Sequence, residues 1–121
     1  GTVFTPGGTI DYQSVGGPTG GWEPDVKEWS AVFLAAFPVR QHYITNTEVV
    51  YGDGRDSASS VSYWRSVMGF ASSDGSIHLF ESGGRYVDDL VRTGDGWRIA
   101  HRTTSQDWML GTLPAELVIP E

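Results

Sequence analysis

The spacing of hydrophobic residues along the sequence changes near residue 40. In "EPDVKEWSAVFLAAFP" the apolar residues recur at spacings of three and four, which is the period of an α-helix with one apolar face. Beyond residue 40, apolar and polar residues alternate, which is the period of a strand buried on one face. The pattern therefore predicts one helix that packs on a sheet.

The helix is predicted over residues 24–37. Pro24 suits a first helical position, Asp25 and Glu28 favour the N-terminal end of the helix dipole, and Pro38 forbids continuation. The predicted apolar stripe consists of Val26, Trp29, Val32, Phe33, Ala36 and Phe37.

Turn signals cut the remainder into four long strand-like segments, namely 41–51, 57–71, 77–92 and 97–108. They predict an antiparallel meander, and Gly83-Gly84 within the third segment predicts a bulge or sharp bend. A short alternating run, Thr9 to Tyr12, predicts an edge strand. The expected fold is α+β: a cone-shaped, strongly curved antiparallel sheet of four long strands and one short one, with the helix on its concave side.

Composition narrows the class of protein. A chain of 121 residues with 39% hydrophobic residues predicts a single globular domain, 1–121. The net charge of -7 and the dispersed Lys and Arg residues argue against nucleic acid as a partner. No run approaches the roughly 18 apolar residues of a membrane span, no signal peptide is recognisable, and cysteine is absent. We expect no membrane association and a cytoplasmic location.

Several segments carry a resemblance to a known family. "HYITNTEV", "GDGRDSASSVSYW", "GGRYVDDLVRTGDGWRIAHR" and "DWMLG" follow one another in an order and spacing that resemble the SnoaL-like branch of the nuclear transport factor 2 superfamily. The resemblance implies a cystatin-like curved sheet around a hydrophobic pocket. It also implies a family of small dehydratases, isomerases, cyclases and dehydrochlorinases, with many catalytically silent members.

In such proteins a helical segment precedes the part that resembles "VFTPGGTIDY" and carries a Tyr and an Asp that work with a strand histidine. This sequence begins at Gly1, after that point. We expect either that a preceding helix is omitted from the sequence or that the protein lacks it and has a partly open pocket.

His42 is the principal candidate for catalysis. Imidazole titrates near neutral pH and can remove a proton from carbon once a carboxylate fixes its tautomer. The residues alone favour a hydrogen-bonded structural histidine, whereas the resemblance favours a general base. Two-residue alternation places His42, Ile44 and Asn46 on one face, so Asn46 is a candidate substrate contact or a hydrogen-bonding group at a strand end.

Asp88 is the second catalytic candidate, because it could orient His42 or bind a substrate group. An Asp-Arg ladder on a solvated sheet is the alternative interpretation. Tyr86 and Arg92 share its face by parity. Further candidate substrate contacts, each with structural packing as the alternative, are Tyr12, Tyr63, Tyr86, Arg102 and Trp108. Tyr63 and Trp64 alternate sides, so only one of them can line the pocket.

No cofactor and no metal are predicted. His42, His78 and His101 are dispersed and lack the spacing of metal ligands. Two functional hypotheses remain: a cofactor-independent dehydratase, isomerase or cyclase with His42 as base, or a noncatalytic ligand-binding or assembly domain. The enzyme and the ligand-binding domain would take a small apolar or aromatic molecule as partner, whereas in an assembly domain the sheet would mediate association. An apolar outer sheet face and the "LPAELVIPE" tail predict a homodimer or homotrimer.

Overall fold

The computed structural model describes residues 3–113 and 115, which form one curved sheet and one helix. The strands are β1 (Phe4–Asp11), β2 (Thr19–Gly21), β3 (Val39–Tyr51), β4 (Ser57–Ala71), β5 (Ile77–Thr93) and β6 (Gly96–Leu110). The helix α1 spans Lys27–Ala35. Short 3-10 turns at Gln13–Val15 and Asp53–Arg55 join neighbouring elements.

The sheet has six strands in the order β2-β1-β6-β5-β4-β3. The predicted meander is confirmed for β3 to β6, whose pairs are all antiparallel. The predicted wholly antiparallel sheet is wrong in one respect, because β1 pairs with β6 in parallel and with the additional strand β2 in antiparallel orientation. The α+β class and the curved sheet with one helix are confirmed.

Helix α1 crosses the concave side because β2 and β3 occupy opposite edges of the sheet. The chain between those strands must pass from one edge to the other. The helix is shorter than predicted, since Trp22–Val26 forms an irregular turn that contains Pro24. Val32 does not belong to the packed stripe: it is 61% exposed. Trp29 and Phe33 of the predicted stripe face the sheet, together with Leu34, which was not part of it.

Two apolar clusters hold the helical segment on the sheet. At one end Val26 of the irregular turn packs with Phe4, Ile10 and Ile99 of β1 and β6. At the other end Phe37, after the helix, packs with Met68 of β4 and Phe80 of β5. The stretch of helix between the clusters contains no buried residue, so space remains between it and the sheet.

Strand β4 shows why that space persists. Its even-numbered residues face the helix and are buried: Ala58, Ser60, Ser62, Trp64, Ser66 and Met68. Most of these side chains are small, so they cover the backbone without filling the concave side. The odd-numbered residues from Ser57 to Arg65 face outward and are exposed.

The predicted irregularity at Gly83-Gly84 is confirmed by a register shift between these glycines and β6. Gly84 is opposite Gln106 and Gly83 is opposite Trp108, so Asp107 is the extra residue of a bulge. A Cβ at Gly84 would overlap the backbone carbonyl of Ser105. The glycine is therefore required by the close approach of the two strands.

We expect Gly84→Ala to lower the free energy of unfolding by about 3 kcal/mol, because the backbone of β6 must move to admit the methyl group. Gly20→Ala is the matched control, since a Cβ at Gly20 meets no atom within 4 Å. It should change the unfolding free energy by less than about 1 kcal/mol. Urea denaturation measures both. Equal effects of the two substitutions would contradict the structure at Gly84.

Candidate functional site

A cavity of about 210 Å³ lies between α1 and the concave face of the sheet. Trp29 and Phe33 of the helix form one wall, with their rings stacked at 5.1 Å. Trp64 of β4 lies on the sheet side. A cavity of about 150 Å³ accepts benzene in another protein, so this one is large enough for a compound of one or two rings.

Strand register orders the polar residues of the cavity floor in rows. His42 of β3 is opposite Ser66 of β4, which is opposite Ser82 of β5. Farther along the sheet, Tyr86 of β5 is opposite Thr104 of β6. All five residues line the cavity. The floor therefore has a histidine at one end and a tyrosine at the other.

His42 lines the β3 end of the cavity floor, with its ring centre 6.2 Å from that of Trp64. Its strand is the edge of the sheet, so the residue keeps an exposed flank. Partial burial lowers the pKa of His42 below its usual value of 6.5. Neither ring nitrogen makes a hydrogen bond to another of the described residues. The imidazole is thus neutral at pH 7 and available to a bound molecule.

Asp88 does not reach His42. It is opposite Ser60 on β4, whereas His42 is opposite Ser66. Six residues along a strand correspond to about 20 Å. Asp88 instead accepts hydrogen bonds from Arg102 Nε at 2.7 Å and from Arg102 Nη2 at 2.8 Å. The orientation of His42 by Asp88 is therefore not what the structure shows.

Two predicted substrate contacts, Tyr12 and Tyr86, line the cavity. Burial is the main cause that raises the pKa of both phenols, and the nearby Asp88 carboxylate acts in the same direction. Arg102 lowers both pKa values but does not offset burial. Both hydroxyls remain protonated at neutral pH and can donate hydrogen bonds.

Tyr63 and Trp108 lie on the outer face, so their assignment to the cavity is wrong. Tyr63 is 49% exposed, whereas its neighbour Trp64 faces inward and is 6% exposed. The bulge at Asp107 reverses the alternation of β6, which turns Trp108 outward over Gly83 and Met109 inward.

Asn46 and Arg102 also do not line the cavity. Asn46 has a positive φ of 52° at a register shift between β3 and β4, so alternation from His42 does not extend to it. Arg102 lies against Tyr86, with its guanidinium carbon 4.0 Å from the ring centre. Its side chain thus contacts a cavity residue from outside the lining.

Three residues with polar atoms line the cavity although the sequence did not mark them as candidates. Trp64 Nε1, Ser66 Oγ and Thr104 Oγ1 are buried and have no hydrogen-bond partner among the described residues. Buried polar groups without partners are uncommon in native proteins. For Ser66, the repeated serines of "SASSVSYWRS" were the sequence signal of a polar inner face. These groups could pair with polar atoms of a bound molecule or with water.

The described lining of the cavity contains no carboxylate and no cluster of metal ligands. None of the described residues that line the cavity is an aspartate or a glutamate. No group of three His, Asp or Glu residues within the described ranges could hold a metal ion. In the same part of the chain, no helix is long and apolar enough to span a membrane.

Comparison with known proteins adds to this geometry. Residues 1–103 match the sequence profile of the SnoaL-like domain. The chain belongs to the SnoaL-like family. The uncharacterized protein Rv2910c of Mycobacterium tuberculosis is 42% identical over 104 residues, which are 86% of this chain and 67% of that protein. The family and the cavity together indicate a small-molecule-binding protein of the nuclear transport factor 2-like fold.

Solved structures support the same fold. A crystal structure of a candidate aromatic ring hydroxylase from Novosphingobium aromaticivorans has 26% identity and a TM-score of 0.76, covering 91% of this chain and 74% of that one. A hexachlorocyclohexane dehydrochlorinase shares the fold at 12% identity, with a TM-score of 0.70 and coverage of 95% and 78%. The second likeness concerns the fold alone.

The lowered pKa of His42 can be measured by NMR titration of its imidazole. We expect a midpoint below 6.5, because burial disfavours the charged ring. The unfolded chain then binds the proton more readily, so His42 reduces stability as the pH falls through about 6.5. His42→Gln should therefore lose less stability than the wild type between pH 7 and pH 5. A midpoint above 6.5 would instead indicate an anion against the ring.

Proposed function

We propose that this SnoaL-like protein binds a small apolar or aromatic molecule in its concave cavity and acts as a cofactor-independent dehydratase, isomerase or cyclase. His42 is the general base in this proposal. The observation that carries it is the position of the His42 imidazole in a cavity whose other described lining residues are uncharged, where it makes no hydrogen bond to a described residue. Partial burial lowers the pKa of this imidazole, which favours its neutral form.

The chemistry is a proton transfer at carbon. The unprotonated nitrogen of His42 removes a proton from a carbon that is next to a carbonyl or conjugated with it through a C=C bond, and the electron pair of the broken C–H bond forms an enolate. The imidazolium then returns the proton. Protonation of a departing hydroxyl releases water in a dehydration, whereas protonation of another carbon completes an isomerisation. Removal of water from the site strengthens the hydrogen bonds that stabilise the enolate oxygen.

Noncatalytic binding is the second candidate function. No carboxylate lies among the described lining residues, so nothing there fixes the tautomer of His42. Asp88 is paired with Arg102 and is too far away. A cavity without an orienting carboxylate favours binding over proton transfer. The two candidates differ in whether a bound molecule exchanges its hydrogens with solvent.

A suitable probe is 4,4a,5,6,7,8-hexahydro-2(3H)-naphthalenone, a bicyclic enone whose γ-hydrogens lie on the ring remote from the carbonyl and exchange slowly in D₂O. We expect the protein to accelerate this exchange and His42→Ala to reduce the acceleration at least 100-fold, which is typical of the loss of a general base. Binding, followed by tryptophan fluorescence, should change less than threefold because the ring contacts remain.

The matched control is His78→Ala, since His78 lies outside the cavity lining. Its variant should exchange hydrogens at the wild-type rate. Thermal melting should show both variants folded. Full activity of His42→Ala would refute the assignment of the base. Binding of the enone without any accelerated exchange would favour the noncatalytic alternative.

The proposed assembly is a homodimer or homotrimer that uses the outer face of the sheet. This face exposes Tyr63, Val87 and Trp108, which are 49, 46 and 44% exposed. It also carries two ion pairs, Arg65 with Glu81 and Arg85 with Asp107. Positive and negative side chains both occur on this face, so the positive groups of one copy can contact the negative groups of a second copy related by a rotation. Most of the tail that contributed to this prediction lies outside the described residues.

We expect sedimentation at micromolar concentration to give a species larger than the 13.2 kDa monomer. Val87→Asp should shift the equilibrium to the monomer, because a charge on the outer face loses its hydration in the interface. Val32→Asp is the control, since Val32 is exposed on the helix, away from this face. Only a 13 kDa species for the wild type would contradict the assembly. The cytoplasmic location stays a prediction.

A further inference from the structure

A buried ion pair lies behind the end of the cavity that is remote from His42. Asp88 is 4% exposed and pairs with Arg102 through two hydrogen bonds. The side chain of Arg102 is 20% exposed. Removal of two charges from water is costly, and apolar residues often stabilise a core equally well. Stability alone is therefore a weak explanation for this pair.

The pair contacts the cavity through Tyr86. The guanidinium carbon of Arg102 lies 4.0 Å from the centre of the Tyr86 ring, which is within the range of a cation–π interaction. The same ring stacks on Trp64 at 5.9 Å. Asp88 fixes the orientation of the guanidinium plane, because its two carboxylate oxygens accept hydrogen bonds from Nε and Nη2 of Arg102. The Tyr86 ring is thus positioned by Arg102, whose own position is fixed by Asp88.

The hydroxyl of Tyr86 is left available. Tyr86 is 7% exposed and lines the cavity, yet its hydroxyl makes no hydrogen bond to another described residue. Thr104, directly across from it on β6, also lines the cavity, and its buried Oγ1 has no partner there. Tyr12 lines the same cavity. Unsatisfied hydroxyl groups gathered at one end of an aromatic cavity match an oxygen of a ligand.

The distances set the size of that ligand. The ring centre of Trp64 is 6.2 Å from that of His42 and 5.9 Å from that of Tyr86. A planar ring system placed on Trp64 therefore has one edge near His42 and the opposite edge near Tyr86. A bicyclic compound spans this interval, and the cavity of about 210 Å³ accommodates it.

We propose that Asp88 and Arg102 are positioning residues that hold Tyr86 as the oxygen-binding group of the cavity. The ligand then carries a carbonyl or hydroxyl oxygen at the end remote from His42. This inference rests on the proposed ligand-binding function. In the proton transfer, the oxygen held by Tyr86 is the one on which the enolate charge develops when it is conjugated with the carbon next to His42.

The test compares two probes, 1-tetralone and tetralin, which is the same molecule without the carbonyl oxygen. The measured quantity is the ratio of their dissociation constants, tetralin over 1-tetralone, from tryptophan fluorescence. A lost hydrogen bond corresponds to about a tenfold change in affinity. We expect Tyr86→Phe to lower the ratio about tenfold and to leave the affinity for tetralin within twofold. Tyr63→Phe, which removes the same hydroxyl on the outer face, should leave the ratio unchanged.

The role of the ion pair is tested by removing both charges together, because a single replacement leaves an unpaired buried charge. The double variant Asp88→Asn with Arg102→Met should lower the ratio at least threefold while tetralin still binds. In the Tyr86→Phe background the same double change should have no further effect on the ratio, as expected when residues act through one group. Arg102→Lys retains the charge without the fork and should give an intermediate ratio.

Five outcomes separate the possibilities. Lower ratios that depend on Tyr86 support the inference. An unchanged ratio with a lower melting temperature shows that the pair is structural, and an equal additional effect in the Tyr86→Phe background shows that it does not act through Tyr86. Should the double variant fail to fold, an unchanged ratio for both Tyr86→Phe and Arg102→Lys still overturns the inference. Failure of the wild type to bind either probe overturns both this inference and the proposed function.

Discussion

The close approach of β5 and β6 at Gly84 is the constraint on which the concave site depends. The carbonyl of Ser105 occupies the space that any side chain at position 84 would need. The strands can meet there only because one extra residue, Asp107, bulges from β6. A bulge increases the local bend and twist of a sheet, so this contact contributes to the curvature that leaves room beneath α1.

The same bulge decides which side chains enter the cavity. Thr104 and Gln106 face inward by simple alternation, and continuation would place Trp108 beside them. The extra residue reverses the alternation, so Met109 enters the cavity and Trp108 packs over Gly83 on the outer face. One inserted residue thus supplies an apolar contact to the site and an aromatic group to the outer face.

The cavity combines an apolar enclosure with a small number of polar groups. Ring systems from α1 and β4 provide the enclosure, while the histidine and tyrosine lie at separate ends of the floor. The charged pair of Asp88 and Arg102 lies behind this lining. Charged residues behind the lining can orient the neutral residue in front of them, and an apolar ligand does not have to contact the charges. This division of roles is consistent with a family whose members share a fold while their chemistry depends on individual side chains.

Much of the fold was determined by sequence periodicity alone, because local spacing decides which residues form one apolar face. The helix and the meander of β3 to β6 were predicted in this way, the bend was predicted from the paired glycines, and the family was predicted from its resemblance to the quoted segments. The parallel pairing of β1 was not, since the partner of a strand depends on residues distant in the chain.

For the site, alternation placed His42 and Tyr86 on the face that lines the cavity but failed for Asn46, and Trp108, a candidate for the pocket mouth, lies on the outer face. Asn46 and Trp108 both lie at register shifts, where one added residue reverses the face of every residue beyond it. The pairing of Asp88 with Arg102, rather than with His42, was likewise decided by strand register. The sequence by itself thus determined the elements and the candidate residues, whereas the tertiary structure decided which of them meet, because contacts across a sheet depend on register and bulges.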